Sequence, residues 1–469
     1  MSTSSLSKFI IPVDKLSIVF FNSGSIIIAI MTVNLAKIAS QKKIKYFLIS
    51  FVDLFGVLRA KLVPAQAINE MAKNGAGFGG FATYLDMSPA DSDMLAIPDP
   101  ASLIQLPWQP EIGWLASDCY MDGKIVEQAP RVILKRQIDK LAEKNMVMQS
   151  GVECEFFLLN EDGTEISDAR DVAAKPCYDQ SMLMRRYDLI KEICDSMIKL
   201  GWKPYQNDHE DANGQFEMNW NYSDCLTTAD RHVFFKFMVK SIAEKHGFRA
   251  SFMAKPFPNL TGNGCHAHVS VWDKKKKKNL FEDTDDEMGL SKLGYSFIGG
   301  LMKSADCFSA LFNPSVNSYS RIGASNTISG ATWSPSTVTY TGNNRTHMVR
   351  IPDTGRFEVR HADGCANPYL LQAGLLALGL DGINNNRKPG KRLDINMYTE
   401  SHKAKRVKKL PTDLESAIKL FQNSDVVKKA FSSKVVSNYV KLKKRELKEF
   451  SKQPEIHSYD WQRNNAIDC

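Results

Sequence analysis

Strand-like apolar stretches in the middle of the chain are broken at every second residue by a chemically active side chain: Glu153 and Glu155, His266 and His268, Glu358 and Arg360. Successive strand side chains point to opposite faces, so each pair lies on one face of its strand. Between His209 and Glu217 the run HEDANGQFE carries the dipeptide Asn213-Gly214, the strongest short-range signal for a two-residue hairpin turn. With that turn, Ala212 faces Gln215 and Glu210 faces Glu217. Opposed side-chain roots lie ~5 Å apart, and two carboxylates so placed repel one another unless a cation sits between them. The occupant that fits is a divalent metal held by carboxylates and one imidazole, and the arginines point to work on phosphate.

The flanking patterns predict the frame around these residues. A short helix near Leu35 to Gln41 precedes two strands within Ile44 to Lys61, with a turn near Asp53 to Gly56. Further strands are expected near Ile112 to Tyr120 and Lys124 to Glu127, giving a small, mostly β first domain. Pro130 then opens a helix with Leu134, Ile138 and Leu141 on one side, which sets a boundary near residue 128. Beyond it helices are expected near Ser181 to Leu200, Asp230 to His246, Ser291 to Phe308, Pro368 to Ile383 and Thr412 to Gln422. Asp230 and Thr412 read as N-caps, and Gly201 and Gly247 as helix-ending glycines. Strands pairing through hairpins, with their polar pairs aimed one way, favour a curved, mainly antiparallel sheet with helices outside over a doubly wound fold.

Composition narrows the class. At 469 residues, 43% hydrophobic and 24% charged, the chain suits two or three globular domains and excludes disordered and fibrous classes. The net charge of +8 is largely local: Lys274 to Lys278, and a helical tail with Lys441, Lys443, Lys444 and Arg445. No aromatic residues interleave with these runs, so they read as solvated faces and no nucleic-acid partner is expected. Nine cysteines without CxxC spacing argue for a reducing, cytoplasmic setting. Cys154 and Cys265 are expected to face the core, because their neighbours on both sides of the alternation face the site. The apolar run Leu16 to Val33, broken at Asn22 to Ser25, falls short of a span of ~20 residues. No membrane association is expected, and residues 1–30 read as a non-native or unstructured extension before a start at Met31.

Taken in order, the landmarks resemble the glutamine synthetase family from about Ile44 onward. They are Asp91-Ser92-Asp93-Met94 with Pro98-Asp99, Glu153-Cys154-Glu155, the Glu210 to Glu217 hairpin, Lys255-Pro256, and Gly262-Asn263-Gly264-Cys265-His266-Ala267-His268. Asn313-Pro314, Arg321, Asn344-Arg345, Arg350-Ile351-Pro352, Arg356-Phe357-Glu358-Val359-Arg360 and Asn367-Pro368-Tyr369 follow. The resemblance implies an α+β fold: a β-grasp-like N-terminal domain over 31–127 and a catalytic domain over 128–469 with a funnel-shaped antiparallel sheet. It implies two Mg²⁺ or Mn²⁺ positions, one at Glu155, Glu210 and Glu217, the other at Glu153, His266 and Glu358. His268, Ser270, Arg345, Arg350 and Arg356 match ATP contacts, with Arg345 also catalytic; Gly262, Arg321 and Arg360 match glutamate contacts. Asp53 matches an aspartate that a neighbouring subunit lends to the ammonium site, which implies a homo-oligomer, a dodecamer of two stacked hexamers.

One segment departs from the pattern. Ammonia-using relatives carry a glutamate in the flap after the substrate arginine, whereas this chain reads Ile322-Gly323-Ala324-Ser325-Asn326-Thr327-Ile328-Ser329-Gly330-Ala331-Thr332-Trp333-Ser334-Pro335. That flap resembles the branch labelled GlnT or type III, which includes γ-glutamylmethylamide synthetases. Losing a carboxylate there reduces the bias against an alkylated amine, so the acceptor is ammonia or methylamine, with Trp333 a candidate pocket wall. The implied activity is an ATP-dependent glutamate–amine ligase working through γ-glutamyl phosphate. A non-catalytic glutamate or nucleotide sensor, and a guanidino-kinase-like phosphotransferase, are the rivals. Tyr398 stands where some relatives are adenylylated, but Thr399-Glu400-Ser401 does not match that site and no modification is predicted.

Overall fold

The computed structural model describes residues 19–22, 25–28, 33–324, 327–455 and 458–469. Residues 19–22 and 25–28 pair as a local antiparallel hairpin, Val19 opposite Ile28; the rest of the 1–30 segment lies outside the described residues.

The helix Leu35–Lys42 is capped by Asn34, whose side chain accepts from the Lys37 amide at 2.9 Å. The first large sheet follows, in the order Leu58–Pro64, Tyr46–Val52, Ile112–Met121, Met94–Pro98, Ala76–Phe78. Its central pair is parallel, Leu48 opposite Trp114, while its neighbours are antiparallel. Phe47, Ile49 and Phe51 alternate into the core, as period two demands. Helix Pro130–Ala142 begins just after this sheet. From it Arg131, 4% exposed, reaches Asp99 at 2.7 Å, Asp118 at 2.9 Å and Asp230 at 3.1 Å. A buried guanidinium needs such partners, and these three carboxylates pin the first sheet to the helix Cys225–Lys245.

That network corrects one expectation. Asp230 is not an N-cap; it lies inside its helix, which starts at Cys225 and is capped by Asp224 on the Thr227 amide. Likewise Asp413, not Thr412, caps Leu414–Asn423, by accepting from Ser416 at 2.7 Å. The helix expected over 181–200 is two, Gln180–Arg185 and Tyr187–Lys199. Gly201 and Gly247 do follow helix ends with φ of +70° and +76°.

The second large sheet runs Ser223–Asp224, Met146–Cys154, Cys265–Asp273, Arg356–Val359, Val349–Asp353, Tyr340–Thr341. It is antiparallel except for its last pair, where Tyr340 and Val349 align in parallel. A third sheet orders Pro204–His209, Gln215–Trp220, Phe156–Leu159, Arg249–Ser251. The two are joined at Glu155, where the chain leaves the second sheet and enters the third. The result is a curved wall with helices Pro368–Asn384, Lys292–Ser304 and Cys225–Lys245 behind it. No helix among the described residues is long and apolar enough to cross a membrane.

The basic tail needs a second correction. Lys441, Lys444 and Arg445 are exposed, but Lys443 is only 3% exposed and lies 3.9 Å from the centre of the Phe55 ring, ion-paired with Glu446 at 2.9 Å. Its charge is satisfied by a π face and a carboxylate rather than by water. The run Lys274 to Lys278 is exposed throughout.

Candidate active site

Register across the second sheet builds the site. Glu153 stands opposite His266, His268 opposite Glu358, and Glu358 opposite Arg350. Opposed residues share a face, so one face collects Glu153, His266, His268, Glu358 and Arg350 in a row. The other face carries Cys154, Cys265, Ala267, Val269 and Phe357, all buried in the core. Cys154 and Cys265 therefore sit where the alternation predicts, against His232 at 3.3 and 3.9 Å.

On the polar face His266 Nδ1 lies 3.4 Å from Glu153, 3.7 Å from Glu358 and 3.9 Å from Glu155. His268 Nε2 lies 2.7 Å from Glu153, and its Nδ1 2.7 Å from Arg356 Nη1. Arg350 donates to Glu358 at 2.9 Å and Arg360 donates to its other oxygen at 2.5 Å. Burial opposes the charge on Glu358, but Arg360 first, then His266 and His268, outweigh it and hold the carboxyl at about 2. Glu153 is likewise held well below the usual range: burial is overcome by hydrogen bonds from His266 and His268.

The hairpin supplies the opposite balance. Its turn is not the two-residue one: Asp208 stands opposite Glu217, and Glu210 bonds backbone to backbone with Gln215. Gly214 alone has positive φ, +74°, where a two-residue type I′ turn needs it at both central positions. Asp171 explains the longer loop, because its carboxylate accepts from Asn213 at 2.8 Å and the Gly214 amide at 2.7 Å and pairs with His209 at 2.7 Å. The register shifts by two residues, so the faces survive, and ligand atoms of Asp208, Glu210 and Glu217 lie within 4.8 Å of one another. Asp208, missed in the sequence reading, obeys the same i, i+2 rule with Glu210. Burial first, then the neighbouring carboxylates, push Asp208 up to about 6 and Glu210 and Glu217 well above their ordinary value.

Glu155 joins the two halves. Its Oε2 accepts from the Gly264 amide at 2.7 Å and Gln215 Nε2 at 3.0 Å. A Cβ on Gly264 would lie 2.7 Å from His266 Nε2, 2.8 Å from Arg321 Nη2 and 3.0 Å from Glu155 Oε1, so glycine keeps open a cradle between an imidazole, a guanidinium and a carboxylate. Gly262 is equally constrained, its Cβ position being 2.2 Å from the Ala254 carbonyl. Arg321 is 1% exposed, and Nε of both Arg321 and Arg360 is buried without a partner. Such orphaned donors suit an anion from outside the chain. The oxygen-rich set with one imidazole fits Mg²⁺ or Mn²⁺.

A cleft of about 570 Å³ opens beside this row, lined by Glu153, Tyr205, His268, Ser270 and Arg356 among others. Arg356 is clamped by Asp353 at 2.7 and 2.8 Å. Two residues stand apart. Arg345 is exposed in a turn before Val349–Asp353, with no ion pair among the described residues. Asp53 is fully buried in the turn after Tyr46–Val52; Phe55 and Val57 amides take one oxygen, Arg59 and the Tyr84 amide the other. Burial, opposed by Arg59, raises its carboxyl.

The flap without a glutamate nevertheless meets a carboxylate. Asp211 Oδ2 accepts from Ser329 and from Thr261, each at 2.5 Å. Trp333 is half-buried at φ +51°, its indole nitrogen buried without a partner.

Residues 127–463 match the family described as glutamine synthetase, catalytic domain. A protein named glutamine synthetase from Rhizobium leguminosarum bv. phaseoli is 57% identical over 93% of this chain and 100% of its own length. One named glutamate–methylamine ligase from Methyloversatilis universalis is 38% identical over 91% of this chain and 97% of its own length. A solved structure titled as a GmaS/ADP complex superposes with a TM-score of 0.88 at 57% identity, covering 93% of this chain and all of that one. The row of ligands, the curved sheet that presents them and these likenesses agree: the chain belongs to the glutamine synthetase family.

Proposed function

We propose that this protein is an ATP-dependent ligase that joins an amine to the γ-carboxyl group of glutamate through γ-glutamyl phosphate. The observation that carries the reading is the convergence, on one face of one curved wall, of two carboxylate clusters, an imidazole and arginines with unpartnered buried nitrogens. Family membership supports it.

Glu153, His266 and Glu358 would hold one Mg²⁺ or Mn²⁺, and Glu155, Glu210 and Glu217, with Asp208 beside them, a second. When bound, the cations supply charge neutralisation on the phosphates and the attacking carboxylate. The chain's own groups do the rest. His268, Ser270 and Arg356 line the cleft for ATP, and Arg350 and Arg345 come to the transferred phosphoryl group. Arg321 and Arg360, with Gly262 giving close approach, seat glutamate so that its γ-carboxylate meets phosphorus in line. ADP leaves, the amine attacks the acyl carbon, and phosphate departs. With both oxygens of Asp53 already engaged, its role across a subunit boundary is a fixed negative charge near the amine rather than a proton carrier. Cytoplasmic location and a dodecamer complete the proposal, supported by the free thiols and the family resemblance.

The flap favours methylamine over ammonia relative to enzymes with a flap glutamate, and Asp211, tied to Ser329 and Thr261, keeps that segment down. An acceptor screen with glutamate, ATP and Mg²⁺ tests the reading. A γ-glutamyl amide formed one-for-one with ADP supports it; phosphorylated product without amide, or binding without turnover, would replace it with a phosphotransferase or a sensor.

A further inference from the structure

Two thiols far apart in sequence meet away from the ligand row. Cys365 Sγ and Cys469 Sγ lie 2.8 Å apart, across 104 residues of chain. Cys365 is buried and Cys469 half-buried. Neither touches the residues assigned to metal, ATP or glutamate.

The surroundings hold both partners in place. The segment carrying Cys469 is anchored by Ser251, which donates to the Ile467 carbonyl at 2.7 Å, and by Arg249, which forks onto Asp468 at 3.1 and 2.6 Å. Lys240 donates to the Cys469 carbonyl at 3.0 Å. On the other side, Lys236 donates to the Gly364 carbonyl at 2.9 Å, and Asp363 accepts from the Cys365 amide at 2.9 Å. A cavity of about 290 Å³, lined by Lys236, Lys240, Asp468 and Cys469 with Gly56 and Val57 of the first domain, reaches Cys469. The cavity therefore borders one member of the pair, and its sulfur has a resolving partner alongside.

The electrostatics divide the two roles. Burial works against ionising Cys469, but the bond with Cys365 and the Lys236 and Lys240 ammonium groups outweigh it and bring the thiol below its usual range. The same bond, then burial, pushes Cys365 well above. Reactive thiols have this character: lowered, reachable, beside cations.

We propose that Cys365 and Cys469 are a reversible oxidation site, closed to a disulfide by hydrogen peroxide. The Cys469 sulfur attacks the peroxide, the O–O bond breaks, water leaves and Cys469 becomes a sulfenic acid. The Cys365 sulfur then attacks that sulfur, the S–O bond breaks, and the departing hydroxide takes the remaining thiol proton as a second water. The two thiols lose two electrons between them, and the peroxide gains both. In a reducing compartment such a pair works as a sensor rather than a permanent brace. The link fastens the segment 466–469 to the loop 363–365, whose Gly364 amide donates to the Asn263 carbonyl at 3.3 Å, just behind the Gly264 cradle.

The test is peptide mapping by mass spectrometry of the full-length protein, alkylated before and after treatment with hydrogen peroxide. A linked peptide pair joining Cys365 to Cys469, two hydrogens lighter than the thiols and restored by dithiothreitol, is expected, with a rise of several degrees in apparent Tm. In Cys365→Ser, dimedone should trap a sulfenic acid at Cys469 and the Tm rise should disappear. The proposal is overturned if the wild-type protein oxidises at other cysteines while Cys469 stays alkylatable, or if Cys469 is over-oxidised with no linked peptide. The wild-type map decides even where a variant fails to fold.

Discussion

The two halves of the ligand row are built from the same residue type and reach opposite electrostatic ends. Glu153 and Glu358 lie among His266, His268, Arg350 and Arg360; hydrogen bonds from the two imidazoles hold Glu153 low against its burial, and Arg360 with the imidazoles does the same for Glu358. Asp208, Glu210 and Glu217 face other carboxylates, Glu153 and Glu155 among them, and burial with that repulsion pushes all three up. One half is neutralised by its own chain; the other is left short of positive charge. Three carboxylates with ligand atoms within 4.8 Å of one another, Glu217 buried and the other two half-buried, suit a divalent cation from solution. On the proposed metal assignment, a divalent cation changes the molecule most at the hairpin rather than at the histidine strand.

The comparison breaks most severely at the residue linking the halves. Glu155→Ala should lower kcat/KM for amide formation on the order of 10³-fold while circular dichroism and assembly stay unchanged; near-normal turnover would remove Glu155 from the site. Arg345→Lys should cost on the order of 10²-fold in kcat with little change in glutamate affinity, since a point charge does not reproduce a guanidinium fork. An effect confined to glutamate affinity would reassign it. Trp333→Ala should lower the methylamine-to-ammonia ratio of kcat/KM about 10-fold, the worth of a methyl contact in an apolar pocket. An unchanged ratio would clear Trp333 of that role.

The smallest signal is thermodynamic. With Asp208 at about 6 in the fold and about 3.9 unfolded, the metal-free protein binds more protons folded than unfolded between those values. Its stability therefore falls as pH rises through that window. A bound cation offsets the penalty only where the carboxylates ionise, so Mg²⁺ or Mn²⁺ should raise Tm by several degrees at pH 7 and by much less near pH 5. A metal shift that is larger at pH 5 would place the cation elsewhere.

How much of this the sequence disclosed follows from the range of each contact. The shared face of Glu153, His266, His268 and Glu358, and the core face of Cys154 and Cys265, follow from strand alternation alone. Asp208 was equally legible, two residues before Glu210. The hairpin register was not, because the Asn213-Gly214 signal is local and Asp171, which accepts from both, lies about forty residues upstream. Nor were the burial of Lys443 against Phe55, the place of Asp230 in the Arg131 network, or the grip of Asp211 on Ser329 across 118 residues. Each depends on a partner that no periodicity announces.

The central claim, that the γ-carboxylate of glutamate is phosphorylated here before an amine displaces phosphate, is tested most directly by supplying glutamate whose γ-carboxyl carries a heavy oxygen isotope. With ATP, Mg²⁺ and either amine, the account predicts one labelled oxygen in each phosphate released, in step with amide and ADP. Unlabelled phosphate alongside full amide formation would contradict it.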